Sequence, residues 1–164
     1  MIVFTAIALI GTLSYFYFIL YILSGLRRLK PAEGLQHYPS VSVIIAARNE
    51  ATNLPALLTS LLSQDYPTEK LEILISDDRS TDNSWEIIQS FQKNSAKIIG
   101  IRVSEESDSM TPKKNALSQA IEQSSGEIIV TTDGDCRVQS TWVKSMVEAI
   151  GDKAGICVGF SAVE

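Results

Sequence analysis

The stretch EIIVTTDGDCR, residues 127–137, sets an apolar run directly against two aspartates with one glycine between them. A short apolar run rich in β-branched residues that ends on polar ones reads as a buried strand, with Asp133 and Asp135 at its mouth. Like charges placed there repel each other and lose hydration, so something must compensate them. Working outward, the same pattern occurs twice upstream. VSVIIA, 41–46, runs into Arg48, Asn49 and Glu50, and LEILIS, 71–76, runs into Asp77 and Asp78. AKIIGIRV, 96–103, reads as a third strand, which makes EIIVTT the fourth, and AGICVGF, 154–160, reads as the start of another.

Between these runs the apolar period changes from two to three and four. Leu54, Leu57, Leu58, Leu61 and Leu62 form one helix face, with Pro55 in its first turn. Trp85, Ile88 and Phe91 mark a second helix. Ala116, Leu117, Ala120 and Ile121 mark a third, which Gly126 is expected to stop. Trp142, Val143, Met146, Val147 and Ile150 mark a fourth. Strand and helix alternate, which predicts an α/β domain with a mostly parallel sheet and helices on both faces. Ligands in such sheets bind beyond the carboxyl ends of the strands, and three of the polar clusters fall there.

The N-terminal part differs in kind. Residues 2–26 carry no charge and, as a helix, rise about 37 Å, enough for a bilayer core. Arg27, Arg28 and Lys30 follow and favour the cytoplasmic side. The expected organisation is a transmembrane helix over 2–26, a juxtamembrane linker over 27–40 and a catalytic-type domain over 41–164. The expected location is the inner membrane of a bacterium, with that domain in the cytoplasm. All 19 acidic residues and all but three of the 14 basic ones follow Lys30, leaving 19 acids against 11 bases. An acidic domain without a basic stripe argues against nucleic acid. His37 is the only histidine, which removes the usual histidine-based zinc and serine-triad schemes. Cys136 and Cys157 lack CxxC spacing and read as free thiols.

Each cluster has two readings. DGD is an Asp-Gly turn, or a carboxylate pair for a divalent cation that holds a diphosphate. In DDRSTDNS, Ser80, Thr81 or Asp82 can cap the following helix, but capping accounts for one acid and not for two adjacent ones. Arg48 and Glu50 are a surface pair or brace a pocket. Lys113 and Lys114 are solvated lysines or face a phosphate. No GxGxxG and no GxxxxGK[ST] occurs, so a glycine-rich loop is not what holds phosphate.

SVIIAARNEATNLPALLTSLLSQDYP, LEILISDDRSTDNS, KKNAL and TTDGDC, in this order and spacing, resemble the membrane-bound inverting glycosyltransferases of family 2, which have the GT-A nucleotide-sugar fold. The resemblance runs from Val41 to about Glu164. It implies a donor-nucleotide site that includes Ala47, Glu50, Asp77, Asp78, Lys113 and Asp133. It places Asp78 on the nucleobase or ribose, Lys113 near the diphosphate and Asp135 on Mg²⁺ or Mn²⁺. The implied partners are a nucleotide-diphosphate sugar, a glycan or lipid-linked acceptor and the membrane. The general base and the QxxRW-type motif of the family have no counterpart up to Glu164, so the base is expected beyond that residue. Glu164 is not assigned the role. Competing readings are a sugar-phosphate nucleotidyltransferase, a non-catalytic membrane-anchored module, and a haloacid-type phosphohydrolase. The last fits poorly, because its DxD follows the first strand and here the pair follows the fourth.

Overall fold

The computed structural model describes residues 1–27, 34–35, 37–107, 109–151 and 155–159. Arg28, Lys30, Ala154, Phe160 and Glu164 therefore lie outside the described residues. Two units are resolved, 1–33 and 34–164. In the first, α1 (Ile2–Arg27) is a single helix. Its segment Ile2–Gly25 is long and apolar enough to cross a membrane.

The second unit is built on four parallel strands: β1 (Val41–Ala47), β2 (Leu71–Asp77), β3 (Ile98–Arg102) and β4 (Ile128–Asp133). Their order is β3-β2-β1-β4. The helices are α2 (Leu54–Leu62), α3 (Ser84–Asn94), α4 (Pro112–Gln123) and α5 (Trp142–Ile150). β1 is buried on both faces, which explains why it reads as an unbroken apolar run. Alternation along it divides the core. Val43 and Ile45 join Leu54, Leu57, Leu58, Leu61, Ile88, Val143 and Val147 on the face of α2, α3 and α5. Ile44 joins Leu74, Ile101 and Ala120 on the face of α4. Helices thus cover both faces, as expected.

Four expectations need correction. β3 is shorter than predicted, and residues 155–159 form no strand; Ile156 and Val158 there are almost fully exposed. Ile121 is 44% exposed rather than core, because α4 turns Ala116 and Ala120 to the sheet. Gly126 does not end α4, which closes at Gln123 with Ser124 as its C-cap. Its role is close approach: a Cβ there would sit 2.4 Å from the Ser42 amide nitrogen.

That approach belongs to a polar clasp at the amino ends of the strands. The Gly126 amide donates to Ser42 Oγ, and Ser42 Oγ and the Ser125 amide donate to Glu72. Burial pushes the Glu72 carboxyl up, but these hydrogen bonds from Ser42, Ser125 and Gly126 outweigh it and hold the group below its ordinary value. β4 is thereby pinned beside β1 at one end, and its other end delivers Asp133 to the position opposite Ala46.

Candidate functional site

The chain lays β1, β2 and β3 side by side and then places β4 on the free edge of β1. Ligand clefts of α/β sheets form at such reversals, outside the carboxyl ends of the strands. A cleft of about 460 Å³ lies there, within the usual range for small-molecule sites. Ala46, Ala47, Arg48 and Glu50 form one wall and Asp133, Gly134 and Asp135 the other. Asp78 closes one end, and Thr111, Pro112 and Lys113 approach from the start of α4. Of the residues singled out in the sequence, Ala47, Glu50, Asp78, Lys113, Asp133 and Asp135 meet in this cleft. Asp77 does not line it. Its carboxyl is fully buried at the end of β2, and neither oxygen has a hydrogen-bond partner among the described residues.

Charge is balanced locally. Lys113 Nζ donates to Asp133 Oδ1 at 2.7 Å across the cleft mouth. Both side chains are more than half exposed, so the pair is a weak, exchangeable contact. Among the described residues, the Asp135 carboxylate accepts a hydrogen bond only from the Cys136 thiol, at 3.9 Å. At the opposite end Asp78 is only 4% exposed, and Arg79 Nε donates to its Oδ1 at 3.0 Å. Hydrogen bonds to Glu106 and then Asp78 raise the Arg79 guanidinium further above its ordinary value.

Gly134 is required by proximity. A Cβ on it would lie 3.0 Å from Glu50 Cγ, so a larger residue would force Glu50 to shift. Glu50 is itself held: Oε2 accepts from Asn53 Nδ2 at 2.7 Å, and its carbonyl accepts the Asn53 and Leu54 amides at the start of α2. Beyond Asp135 the chain returns to α5 through an anchored loop. The Gln64 amide donates to the Gln139 carbonyl and accepts from the Val143 amide, which satisfies an orphan donor in the first turn of α5.

The N-cap of α3 is Asn83, which makes no side-chain capping bond, and the polar residues of DDRSTDNS bond across to the loop after β1 instead. The Asn49 amide donates to Ser80 Oγ, and Asn49 Oδ1 accepts from the Thr81 amide. The Glu50 amide donates to Ser84 Oγ, and the Ala51 amide to Asp82 Oδ2. The loop after β1 is thus laced to the loop after β2. Asn49 holds a left-handed backbone (φ 58°), a conformation asparagine tolerates, and the bonds to Thr81 and Ser80 fix it. The Ser84 hydroxyl, followed by the Ala51 and Ser84 amides, holds the Asp82 carboxyl below its ordinary value. Sequence reading found the residues of this clasp but not their partners, which lie more than thirty positions away. It also missed Arg79 and Thr111. Arg79 carried one signal, its place between the Asp77–Asp78 pair and Ser80.

Residues 42–163 match the sequence model of Glycosyl transferase family 2. The chain belongs to that family. A curated relative, Glycosyltransferase AglE of Haloferax volcanii, is 36% identical over 121 residues, covering 74% of this chain and 38% of its own length. Among solved structures, the mannosyltransferase PcManGT of Pyrobaculum calidifontis, in complex with GDP-Man and Mn²⁺, superposes with a TM-score of 0.66 at 27% identity. That match covers 82% of this chain and 40% of the other. S. aureus TarS 1-349 in complex with UDP-GlcNAc superposes with a TM-score of 0.56 at 25% identity, over 68% of this chain and 31% of its own. The family 2 chain described here spans less than half the length of the curated relatives it matches. The GT-A-like sheet and the family assignment read from the motifs both hold.

The loop clasp has a pH signature. A carboxyl held low in the folded state stabilises it fully above its unfolded value of about 3.9, and that contribution is lost as pH falls through the lowered folded value. Urea midpoints of the wild type and Asp82→Asn, measured in detergent from about pH 6 to about pH 2.5, are expected to converge as pH falls. Parallel curves would remove Asp82 from the clasp.

Proposed function

We propose that this chain binds the donor of a metal-dependent glycosyltransferase, which moves a sugar from a nucleotide-diphosphate sugar to a glycan or lipid-linked acceptor with inversion. The observation that carries the reading is the single cleft that joins Asp78 at one end to Lys113, Asp133 and Asp135 at the other. The nucleoside is assigned to the Asp78 end and the diphosphate to the Lys113 end. Ala47 and Glu50 form the wall between. The relatives named above support the donor class, since two of the solved structures hold GDP-Man or UDP-GlcNAc.

The metal fits the donor set. Asp133 and Asp135 offer hard carboxylate oxygens on one turn, and no group of three acidic, histidine or cysteine ligands forms among the described residues. Mg²⁺ and Mn²⁺ suit such a site, because they keep few protein ligands and share the rest with phosphate and water. When bound, the ion neutralises charge on the leaving diphosphate. Asp135 is assigned as its ligand, with Asp133 nearer the ribose. Lys113, whose exposed pair with Asp133 is exchangeable, would turn its ammonium to a diphosphate oxygen and stabilise the charge that develops there. No described residue is assigned as the acceptor's base.

The remaining assignments concern place. α1 is proposed to anchor the chain over 2–26 in a bacterial cytoplasmic membrane, with 27–40 as linker and the domain 41–164 in the cytoplasm. The uncharged run and the basic residues after it support this orientation. Protease added outside spheroplasts should leave 41–164 intact until lysis. Digestion before lysis would reverse the orientation.

Asp135→Asn separates the metal reading from a turn residue, since it keeps size and turn chemistry and removes charge. The variant is expected to unfold at the same urea concentration as the wild type. Its nucleoside-diphosphate affinity in Mn²⁺ should fall by about tenfold or more, to the level the wild type shows with chelator. Unchanged affinity with unchanged metal dependence would leave Asp135 as a turn residue only.

A further inference from the structure

The hydroxyl groups of α1 are not alike. Thr5 and Thr12 donate to the carbonyls one turn back, of Met1 at 3.1 Å and Ala8 at 2.9 Å, and need nothing from outside the helix. Ser14, Tyr17, Tyr21 and Ser24 are exposed, and their hydroxyls have no hydrogen-bond partner among the described residues. They recur at steps of three, four and three residues, so they stand on one side of the helix. The same alternation carried toward the N-terminus reaches Ile10, Ile7 and Val3, which keeps that side apolar there. Tyr15 stands off this side, its ring edge against Phe16. Leu9, Leu13, Phe16, Leu20 and Leu23 form an adjoining flank with no polar side-chain atom, suited to lipid.

Depth makes the difference matter. Counted back from Gly25, Tyr17 lies about 12 Å and Ser14 about 16 Å along the helix axis. In a hydrocarbon core of about 30 Å these two hydroxyls are beyond the reach of water. An unmet polar group there is costly, and a lipid chain offers it no partner. A helix with hydroxyls at the same depths does, and a second copy of α1 meets that condition by construction. Copies inserted in one orientation set Ser14 against Ser14 and Tyr17 against Tyr17. A hydroxyl both donates and accepts, so each residue can bond to its own counterpart. Alternating steps of three and four average 3.5 residues, the repeat along which two helices stay in contact in a left-handed supercoil.

We infer that α1 pairs in the membrane with α1 of a second copy of this chain, in parallel, through the side that carries Ser14, Tyr17, Tyr21 and Ser24. The inference rests on the membrane placement of α1 proposed above.

Oxidative cross-linking of full-length single-cysteine chains in bacterial membranes tests this, with Cys136 and Cys157 changed to Ser. Ile10→Cys, Ser14→Cys and Tyr17→Cys are expected to give disulfide-linked dimers, and Leu13→Cys and Leu20→Cys several-fold less. Ser14→Ala combined with Tyr17→Phe removes both deep hydroxyls. Its dimer, measured by energy transfer between labelled copies in lipid vesicles, should weaken by about fivefold or more. Thr12→Val, whose hydroxyl is already bonded within the helix, should leave the dimer unchanged. Equal cross-linking from both sides, or a double variant that pairs as the wild type does, would overturn the pairing and leave the membrane anchor standing. So would Thr12→Val weakening the dimer as much, or Ser14→Cys cross-linking only to another protein. Release of the chain from membranes by alkaline carbonate would overturn both.

Discussion

β1 is hydrogen-bonded along both edges, to β2 on one side and to β4 on the other, and its register decides where every charged strand end falls. Ala47 is level with Asp77, and Ala46 with Asp133. A slip of one residue would carry Val43 and Ile45 to the α4 face and Ile44 to the face of α2, α3 and α5, so both cores would have to repack. The acidic residues are carried to one end of the sheet as a consequence. Their mutual repulsion is then a fixed condition that the loops must answer.

The loops answer it differently at the two ends of the cleft. Asp78 is nearly buried and has a firm guanidinium contact, whereas Asp133 is exposed and has one lysine. The first arrangement is rigid and suits recognition. The second is exchangeable and suits a site that a cation and a diphosphate enter together. Stiffness comes from the lacing of the β1 and β2 loops by Asn49, Ser80, Asp82 and Ser84, and from Gln64 at the start of α5. These contacts hold the walls without occupying the cleft.

Much of this was legible in the sequence, because burial leaves periodic traces. The leucines of α2 and the β-branched run of β1 identified their elements, and the polar residues after each run marked the ligand end of the sheet. Long-range pairings left no such trace. Asp82 reads as a helix cap from its neighbours alone, and its bond to Ala51 appears only once the loops meet. Gly126 looks like a helix stop, yet its constraint is the Ser42 backbone across the sheet. AGICVGF has strand composition, but 155–159 form no strand and leave Ile156 and Val158 exposed, and composition cannot supply a pairing partner. Asp77 and Asp78 are adjacent in sequence, and strand alternation sends them to different surroundings.

The central claim is that the turn after β4 receives the cation together with a diphosphate. Paramagnetic broadening of amide signals measures this directly, in ¹⁵N-labelled chain titrated with Mn²⁺ alone, with Mn²⁺ and UDP, and with Mn²⁺ and GDP. Broadening should centre on Gly134, Asp135 and Cys136, reach Glu50 and Lys113, and become saturable at lower Mn²⁺ when a diphosphate is present. The amides of Ser42 and Gly126, at the opposite end of the sheet, should stay sharp. Broadening centred away from residues 133–136, or unaffected by either diphosphate, would contradict the account.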